Sequence, residues 1–333
     1  MSELNVRNIE KEEFDEWATL VERSPQGTIF HKSYWLEASL MKYRIYGCYR
    51  GSELVGGLPI TYSEHLGIKC ACHPPLTPYI GAIYENLKGK NVTRLSKQKE
   101  ICTKLAKKLK EDFDGVSFRF APFSVDLQPF IWEGFSTSVS YVYRLSIENL
   151  DSVWKEMDKR RREYIAHSER EGFYTVLQDD LEELYSLVEK TYQKQQMKPF
   201  FRKAAFSYQS ILKTKNECKS FVVKDRSGKS KAAVFIVWDR NTAYSLLSGY
   251  DYESDSMDAG SLAMWEAIKF SRNQLNLKEF DFCGSMIPRI ERYLRKFGGT
   301  LTPTYSVDWS KFGIKWLVRA YRITSGLSSK LIH

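Results

Sequence analysis

Two side chains in the second half of the sequence are of types that could carry out acid–base chemistry. Asp281 lies between Phe280 and Phe282 in a run typical of a β-strand, so strand alternation places its carboxylate on the opposite face from both rings. That carboxylate could accept the proton of an attacking amine, or it could pair with a nearby arginine. Tyr250 ends an earlier predicted strand, where its phenol could stabilise an oxyanion or protonate a leaving group. The alternative for Tyr250 is an ordinary aromatic residue at a strand end.

A third candidate is Arg161, which interrupts the apolar stripe of a helix predicted over residues 150–170. The stripe follows the 3.6-residue period and consists of Leu150, Trp154, Met157, Ile165 and Ser168. A guanidinium on this stripe must have a partner, because an isolated charge is costly to bury. A structural carboxylate and a substrate phosphate or carboxylate both stay open as that partner. The flanking Lys159, Arg160 and Arg162 are typical of a solvated face.

The elements that position these residues belong to a pattern that occurs twice. Residues 118–144 and 280–306 align without a gap, and both read as strand, turn, short helix and strand. Four aromatic positions coincide, namely Phe118 with Phe280, Phe120 with Phe282, Phe135 with Phe297, and Tyr143 with Tyr305. The hairpins predicted over 43–62 and 220–239 repeat in the same way.

The repeated order is hairpin, strand, helix, strand, helix and strand. It predicts two related α/β halves, residues 1–148 and residues 149–310, and a single irregular α/β domain is the alternative. In the second half we predict strands over 220–225, 231–238 and 243–250, then a loop and a helix. Ser261 is predicted to cap the start of that helix. The strand around Asp281 and a short helix ending near Lys296 follow.

The composition limits the classes of protein and partner. The 333-residue chain is 43% hydrophobic, as expected of folded domains, and its net charge of +9 favours an anionic partner. Its six cysteines form no Cys-x-x-Cys pair, so no metal site is predicted. The sequence has no recognisable signal peptide and no apolar run of about 18 residues. Free thiols without an export signal predict a cytoplasmic location.

Four segments give the sequence a specific resemblance to a known family. They are HKSYWLEA (31–38), KRRREYIAHSEREG (159–172), SGYDYESDSMDAGSLAMWEAIKF (248–270) and EFDFCGSMIPRIERYLRKFGG (279–299). The chain resembles the tandem-GNAT proteins of the Fem type, bacterial enzymes that add amino acids to the peptide of a peptidoglycan precursor. The resemblance implies an α/β (α+β) fold of two GNAT-like halves. Each half would hold a mixed, mainly antiparallel sheet with helices on both faces. It also implies direct acyl or aminoacyl transfer to an amine of a cell-envelope precursor.

The donor is left open by two departures from the family patterns. In acyl-CoA-dependent GNAT enzymes an Arg/Gln-x-x-Gly-x-Gly/Ala loop cradles the pyrophosphate at a helix N-terminus. Aligned on Gly260, this sequence has Met257 and Leu262 at the other two positions, which weighs against coenzyme A. The same stretch carries three carboxylates that would repel a pyrophosphate, namely Glu253, Asp255 and Asp258. Gly260 and its neighbour Ser261 remain candidate substrate-binding residues.

The second departure is from the pattern of Fem enzymes that use aminoacyl-tRNA as the donor. Fem enzymes that use this donor usually have Phe-Lys-x-x-Phe-Gly in the last helix, and here Leu294 takes the place of the lysine. Arg292 and Arg295, on the same helix, are candidate ligands for an anionic substrate. Asp251, after the third strand, is a further candidate substrate-binding residue. Acyl-CoA and aminoacyl-tRNA therefore both stay open as donors.

Two alternative functions stay open, and the C-terminal segment is strongly basic. The alternative functions are an acyl-CoA-dependent N-acyltransferase acting on an amino sugar or small amine, and a non-catalytic GNAT pair that binds RNA or membrane. Residues 311–333 form a separate segment with a basic amphipathic helix, which could rest on anionic lipid through 311–323 or pack on the second half. The expected partners are an anionic small-molecule or lipid-linked acceptor and tRNA, at the inner face of the membrane if the tail contacts lipid. The sequence does not indicate an oligomeric state.

Overall fold

The structure, a computed structural model, describes residues 3–311 except 86–88, 123, 125, 195, 253–255 and 285. The strands are β1 (Leu4–Asn8), β2 (Lys42–Arg50), β3 (Glu53–His65), β4 (Ile68–Cys72), β5 (Ile83–Tyr84), β6 (Gly115–Arg119), β7 (Ser136–Ser146), β8 (Tyr174–Gln178), β9 (Cys218–Lys224), β10 (Ser230–Trp238), β11 (Thr242–Tyr250), β12 (Glu279–Asp281) and β13 (Thr300–Ser310). The helices are α1 (Phe14–Arg23), α2 (Ser33–Ala38), α3 (Asn91–Asp112), α4 (Gln128–Trp132), α5 (Leu150–Glu156), α6 (Lys159–Arg170), α7 (Glu182–Gln193), α8 (Arg202–Thr214), α9 (Ser256–Asn273) and α10 (Pro288–Arg295).

The chain divides into two units, of which unit 1 comprises the described residues of 3–140 and 303–311. Its strands run in the order β1-β2-β3-β4-β6-β13, and β5 pairs with β3. Neighbouring strands are antiparallel except β4 and β6, which are parallel. The sheet is therefore mixed but mainly antiparallel, with one short parallel pair.

Unit 2 comprises the described residues of 141–302 and repeats this arrangement. Its strand order is β8-β9-β10-β11-β12-β7, and only β11 and β12 are parallel. Phe221 and Val223 of β9 share a core with Ala263 of α9, whereas Val222 between them points to the opposite face of the sheet. The predicted fold class, two GNAT-like halves with mixed, mainly antiparallel sheets, is confirmed.

The last strand of each sheet comes from outside its own sequence repeat. β7 ends the first repeat but pairs with β12 in unit 2, and β13 ends the second repeat but pairs with β6 in unit 1. The chain changes units at residues 140 and 302, within these two strands, whereas the boundaries predicted at 148 and 310 follow the sequence repeats. Strand pairing is a tertiary contact, so the repeats alone do not reveal the exchange.

Two of the aromatic coincidences between the repeats are pairs of core residues whose rings pack together. Phe118 and Phe120 are buried with ring centroids 5.1 Å apart, and Phe280 and Phe282 are buried with ring centroids 5.2 Å apart. Each pair flanks one residue at the end of the inner parallel strand, so the two repeats use the same packing at the same place.

Two predictions about helices differ from the structure or lie outside its description. The helix predicted over 150–170 is two helices, α5 and α6, because the chain is extended at Met157 and Asp158. The tail helix predicted after residue 311 lies outside the described residues, and Lys311 itself pairs with Asp114 at 2.6 Å. Among the described residues no helix is long and apolar enough to cross a membrane. No group of three or more metal-ligating side chains occurs in that same part of the chain.

Candidate active site

Unit 2 contains an opening where its two parallel strands separate. β11 and β12 are paired over three residues only, ending at Tyr244 opposite Asp281, although β11 continues to Tyr250. Beyond Asp281 the chain leaves the sheet, because Phe282 donates its N–H to Tyr143 of β7 and the next two residues have positive φ angles. The stretch 245–250 of β11 therefore has no strand on this side within the described chain, and we call it the β11 opening.

The corresponding place in unit 1 is filled by the chain itself. β4 and β6 are paired over two residues, Cys70 with Gly115 and Ala71 with Val116. Residues 73–81 then run beside the remainder of β6, where Ile80 donates its N–H to the carbonyl of Arg119 at 2.8 Å, and Arg119 donates its own N–H to Nε2 of His73. The two units thus share a fold but differ at the ends of their parallel strands.

Tyr250 lies at the far end of the β11 opening. Its backbone N–H donates to Oγ1 of Thr191 at 3.0 Å, which ties the strand end to α7. The ring is half-buried and packs against the core of unit 2, and its phenol has no hydrogen-bond partner among the described residues. The catalytic role predicted for this hydroxyl stays a prediction.

Arg161 of α6 forms the centre of a buried cluster. Its Nη1 donates to Oγ of Ser261 at 2.6 Å and its Nη2 donates to the carbonyl of Tyr293 at 3.4 Å. The guanidinium lies 4.2 Å from the centroid of the Tyr293 ring and 5.1 Å from that of Phe297, and the residue is 2% exposed. The predicted burial is confirmed, as it is for Ile165. No carboxylate forms an ion pair with Arg161 in the described part of the chain, so the structural carboxylate is not found there.

The start of α9 differs from the prediction. The helix begins at Ser256, so Ser261 lies in its second turn and the prediction that Ser261 caps the helix is wrong. The reason is that Ala259 is buried in the same core as Leu262 and Ala263, which extends the apolar face of the helix one turn further back. Gly260 is likewise helical, and its carbonyl accepts a hydrogen bond from the hydroxyl of Tyr293 at 2.9 Å.

Asp281 is engaged by its neighbours. Its Oδ1 accepts the N–H of Cys283 at 2.7 Å, and its Oδ2 lies 3.6 Å from Nε of Arg144, which also bonds Glu279. The carboxylate is 1% exposed. Of the two roles predicted for Asp281, the structure contains the arginine partner, and the role of general base stays a prediction.

The other predicted substrate ligands are also engaged within the protein. Asp251 is fully buried and pairs with Lys190 at 3.4 Å and Lys229 at 3.2 Å. Arg292 and Arg295 are exposed on α10, where they bond a backbone carbonyl and a glutamate of the same helix. Their roles in substrate binding stay predictions.

Two neighbouring residues of α10 have different surroundings, one in the apolar core and one beside Arg161. Leu294, at the position of the Fem lysine, is buried in the core of unit 2. Tyr293 joins α10 to Arg161 and to α9, and its importance was missed by the sequence analysis. Burial raises the pKa of the Tyr293 phenol, and the neighbouring Tyr250 raises it further against the opposing charge of Arg161. The signal that could have revealed Tyr293 is its i,i+4 spacing from Phe297 on a helix facing a buried cation.

Comparison with known proteins defines the class of the second unit. Residues 152–293 match the model of the acetyltransferase (GNAT) domain family, and this segment holds the β11 opening and the Arg161 cluster. Unit 2 is therefore a GNAT acyltransferase domain. A comparison with curated proteins found no significant match.

Solved structures extend the likeness to the whole chain. FemX superposes with a TM-score of 0.68 at 12% identity, covering 96% of this chain and 99% of that one. The C-terminal domain of a protein described as a lysylphosphatidylglycerol synthetase from Agrobacterium fabrum gives 0.59 at 10% identity, covering 94% and 96%. A tandem GNAT protein from the clavulanic acid biosynthesis pathway gives 0.54 at 10% identity, covering 92% and 98%. The chain thus has the fold of a Fem-type tandem-GNAT protein.

Proposed function

We propose that this protein transfers an acyl or aminoacyl group directly to an amine of a cell-envelope precursor, and that unit 2 carries the reaction. The observation that carries the proposal is the β11 opening. It offers a strand edge beside the phenol of Tyr250, which no described residue hydrogen-bonds, whereas residues 73–81 fill the corresponding place in unit 1.

The opening suits an activated acyl donor for a physical reason. Backbone N–H and C=O groups along 245–250 can pair with an extended donor as an added strand would. That pairing holds the reactive carbonyl in one orientation, and orientation supplies much of the rate when an amine attacks an activated ester. No covalent enzyme intermediate is needed for this step.

Within the opening we assign different roles to the two predicted catalytic residues. The Tyr250 phenol is placed to donate a hydrogen bond to the developing oxyanion or a proton to the leaving group. Asp281 would have to leave Arg144 before it could accept a proton, so we propose a positioning role in which it fixes the turn that separates β12 from β11. Its bond to the N–H of Cys283 supports that role.

We infer the classes of acceptor and donor from the net charge of the chain, from the proteins that share its fold and from the start of α9. The net charge of +9 favours an anionic acceptor, and the comparison proteins named FemX and lysylphosphatidylglycerol synthetase share the fold. Against coenzyme A, α9 begins at Ser256, so Gly260 and Ser261 follow the first four residues, whose N–H groups are the ones a helix leaves open to an anion. We therefore favour aminoacyl-tRNA over acyl-CoA as the donor, in a transfer without a lysine at the position of the buried Leu294.

The proposal is tested by incubating the full chain with envelope precursors and either charged tRNAs or acyl-CoAs, and measuring the mass of each acceptor. We expect a mass increase on an acceptor amine with a charged donor, abolished when the tRNA is first deacylated. An increase with acyl-CoA alone would select the acyl-CoA-dependent alternative. No increase with either donor, alongside salt-sensitive binding of RNA or lipid, would favour the non-catalytic module.

A further inference from the structure

The inner parallel strand of unit 1 ends in a cation at the position where unit 2 has an acid. Arg119 of β6 corresponds in the sequence repeat to Asp281 of β12. In unit 2 the residue directly across the antiparallel pair is Arg144, and the two form an ion pair. In unit 1 the residue directly across from Arg119 is Ser306. The charge is therefore reversed in unit 1, and its cross-strand counter-ion is missing.

Arg119 has no ion-pair partner among the described residues. Its Nε is buried and finds no hydrogen-bond acceptor in that part of the chain. Burial lowers the pKa of Arg119, as expected for a cation removed from water without a carboxylate. A partly buried guanidinium whose Nε has no described acceptor is costly, so a compensating anion would stabilise it.

His73 supplies a second donor at the same place. Its Nε2 accepts the backbone N–H of Arg119, so the neutral ring carries its hydrogen on Nδ1. That Nδ1 is also buried without a partner in the described structure. Burial, with the charge of Arg119 as a smaller cause, lowers the pKa of His73 to about 3, which keeps the ring neutral and the Nδ1 hydrogen in place near neutral pH.

We propose that His73 and Arg119 form an oxyanion-binding site in unit 1, which takes a carboxylate or phosphate group. Two buried N–H donors without acceptors and one uncompensated positive charge match the needs of an oxyanion. The residues stand at the carboxyl ends of β4 and β6, and the carboxyl ends of adjacent parallel strands are a common place for ligands. The site does not depend on the function proposed for unit 2.

The test measures anion binding to the full chain by isothermal titration calorimetry. Inorganic phosphate and acetate are titrated separately at constant ionic strength, with chloride as the balancing anion. We expect saturable binding of at least one oxyanion, and the tighter of the two identifies the group that the site prefers. Absence of saturable binding of both would overturn the proposal.

Two substitutions assign the binding to the site. Arg119→Gln removes the charge and should weaken binding by at least about tenfold. His73→Met fills a similar space without any N–H donor, for an expected loss of about tenfold. The matched control is Arg7→Gln, which alters an exposed arginine of the same unit paired with Glu13 and should leave binding unchanged. Equal affinity in Arg119→Gln and the parent protein would contradict the site.

A substitution that restores the missing acid separates binding from folding. Ser306→Asp places a carboxylate opposite Arg119, as Arg144 stands opposite Asp281 in unit 2. We expect this variant to melt at a higher temperature than the parent protein without anion, and to lose both phosphate binding and any phosphate-dependent rise in melting temperature. If Ser306→Asp binds the anion as the parent protein does, the proposal is wrong, even if Arg119→Gln fails to fold.

Discussion

Tyr250 is the side chain on which the proposed chemistry depends. It stands at the end of the β11 opening with a hydroxyl that no described residue engages. We predict that Tyr250→Phe lowers kcat by about 100-fold, the usual size of a lost proton donor, with little change in KM. Steady-state transfer assays measure this change, and Tyr174→Phe, at an exposed position of β8, is the matched control. Unchanged kcat would remove Tyr250 from the mechanism.

Arg161 tests whether a buried charge serves the acceptor or only the fold. Because it removes the hydrogen bonds to Ser261 and to the Tyr293 carbonyl, Arg161→Met should lower the free energy of unfolding by about 1–3 kcal/mol. The positive potential of the arginine is weakly screened by salt, so we expect the KM for an anionic acceptor to rise by about tenfold. Urea denaturation and acceptor titration measure the two effects.

The control for Arg161 is Arg292→Met, which removes an exposed cation of α10. It should leave both stability and KM unchanged. A loss above this range in Arg161→Met would show instead that stacking on Tyr293 is what the arginine contributes.

At the scale of elements, the packing of α7 on β11 depends on one glycine. A Cβ at Gly249 would lie 2.4 Å from the backbone nitrogen of Val188, which cannot move without displacing the helix. Gly249→Ala should therefore destabilise the protein by about 2–3 kcal/mol, as overpacking does. Chemical denaturation measures this loss, and a change below about 0.5 kcal/mol would contradict the contact.

At Gly260 of α9, by contrast, a substitution by alanine is expected to stabilise the protein. Among the described residues the added Cβ would meet only the hydroxyl of Tyr293, at an ordinary contact of 3.6 Å. Because alanine is the better helix former, Gly260→Ala should raise the free energy of unfolding by up to about 1 kcal/mol. A rise in donor KM would instead show that the glycine lies against the donor, as the acyl-CoA pattern implies.

The strands and helices of the second half could be predicted from sequence because the spacing of apolar residues, every second residue in a strand and every third or fourth in a helix, follows their burial. The strands predicted over 220–225, 231–238 and 243–250 agree with β9, β10 and β11 to within two residues at each end. The prediction placed the start of α9 too late because Asp255 and Ser261 are both residue types favoured at N-caps. The burial of Ala259, which decides between them, is a tertiary contact. The break between α5 and α6 was missed because the apolar stripe runs through it.

At the scale of the whole molecule, stability should depend on the pH at which buried histidines gain a proton. Burial lowers the pKa of His31 to about 4, below the usual value of about 6.5. Once the pH falls below about 6.5, this histidine therefore binds a proton in the unfolded chain but stays neutral in the folded chain. Stability is retained above that pH and should fall by about 1.4 kcal/mol per pH unit for each buried histidine as the pH drops towards the folded pKa.

Urea unfolding between about pH 7.5 and pH 5 measures this slope, because most carboxylates titrate at lower pH. His73, with its similarly lowered pKa, contributes to the same window. A free energy of unfolding that stays constant over this range would show that the two rings are not buried neutral.

The duplication itself could be predicted, since core aromatics recur at equivalent positions of both repeats. What joins the repeats could not, because the partner of a strand is set by packing and not by chain order, and β7 and β13 each complete the sheet of the other repeat. The sequence offered an arginine as a partner of Asp281 but could not identify Arg144, for the same reason. Likewise, the sequence indicated that Arg161 needs a partner but could not identify Ser261 and Tyr293.

The most direct test of the account is hydrogen–deuterium exchange of the full chain with and without the donor that supports transfer. We predict that donor binding slows exchange of the backbone amides in residues 245–250 of unit 2 and leaves residues 115–119 of unit 1 unchanged. Slower exchange at 115–119 with none at 245–250, or no change in either segment under saturating donor, would contradict the assignment of the β11 opening as the place of transfer.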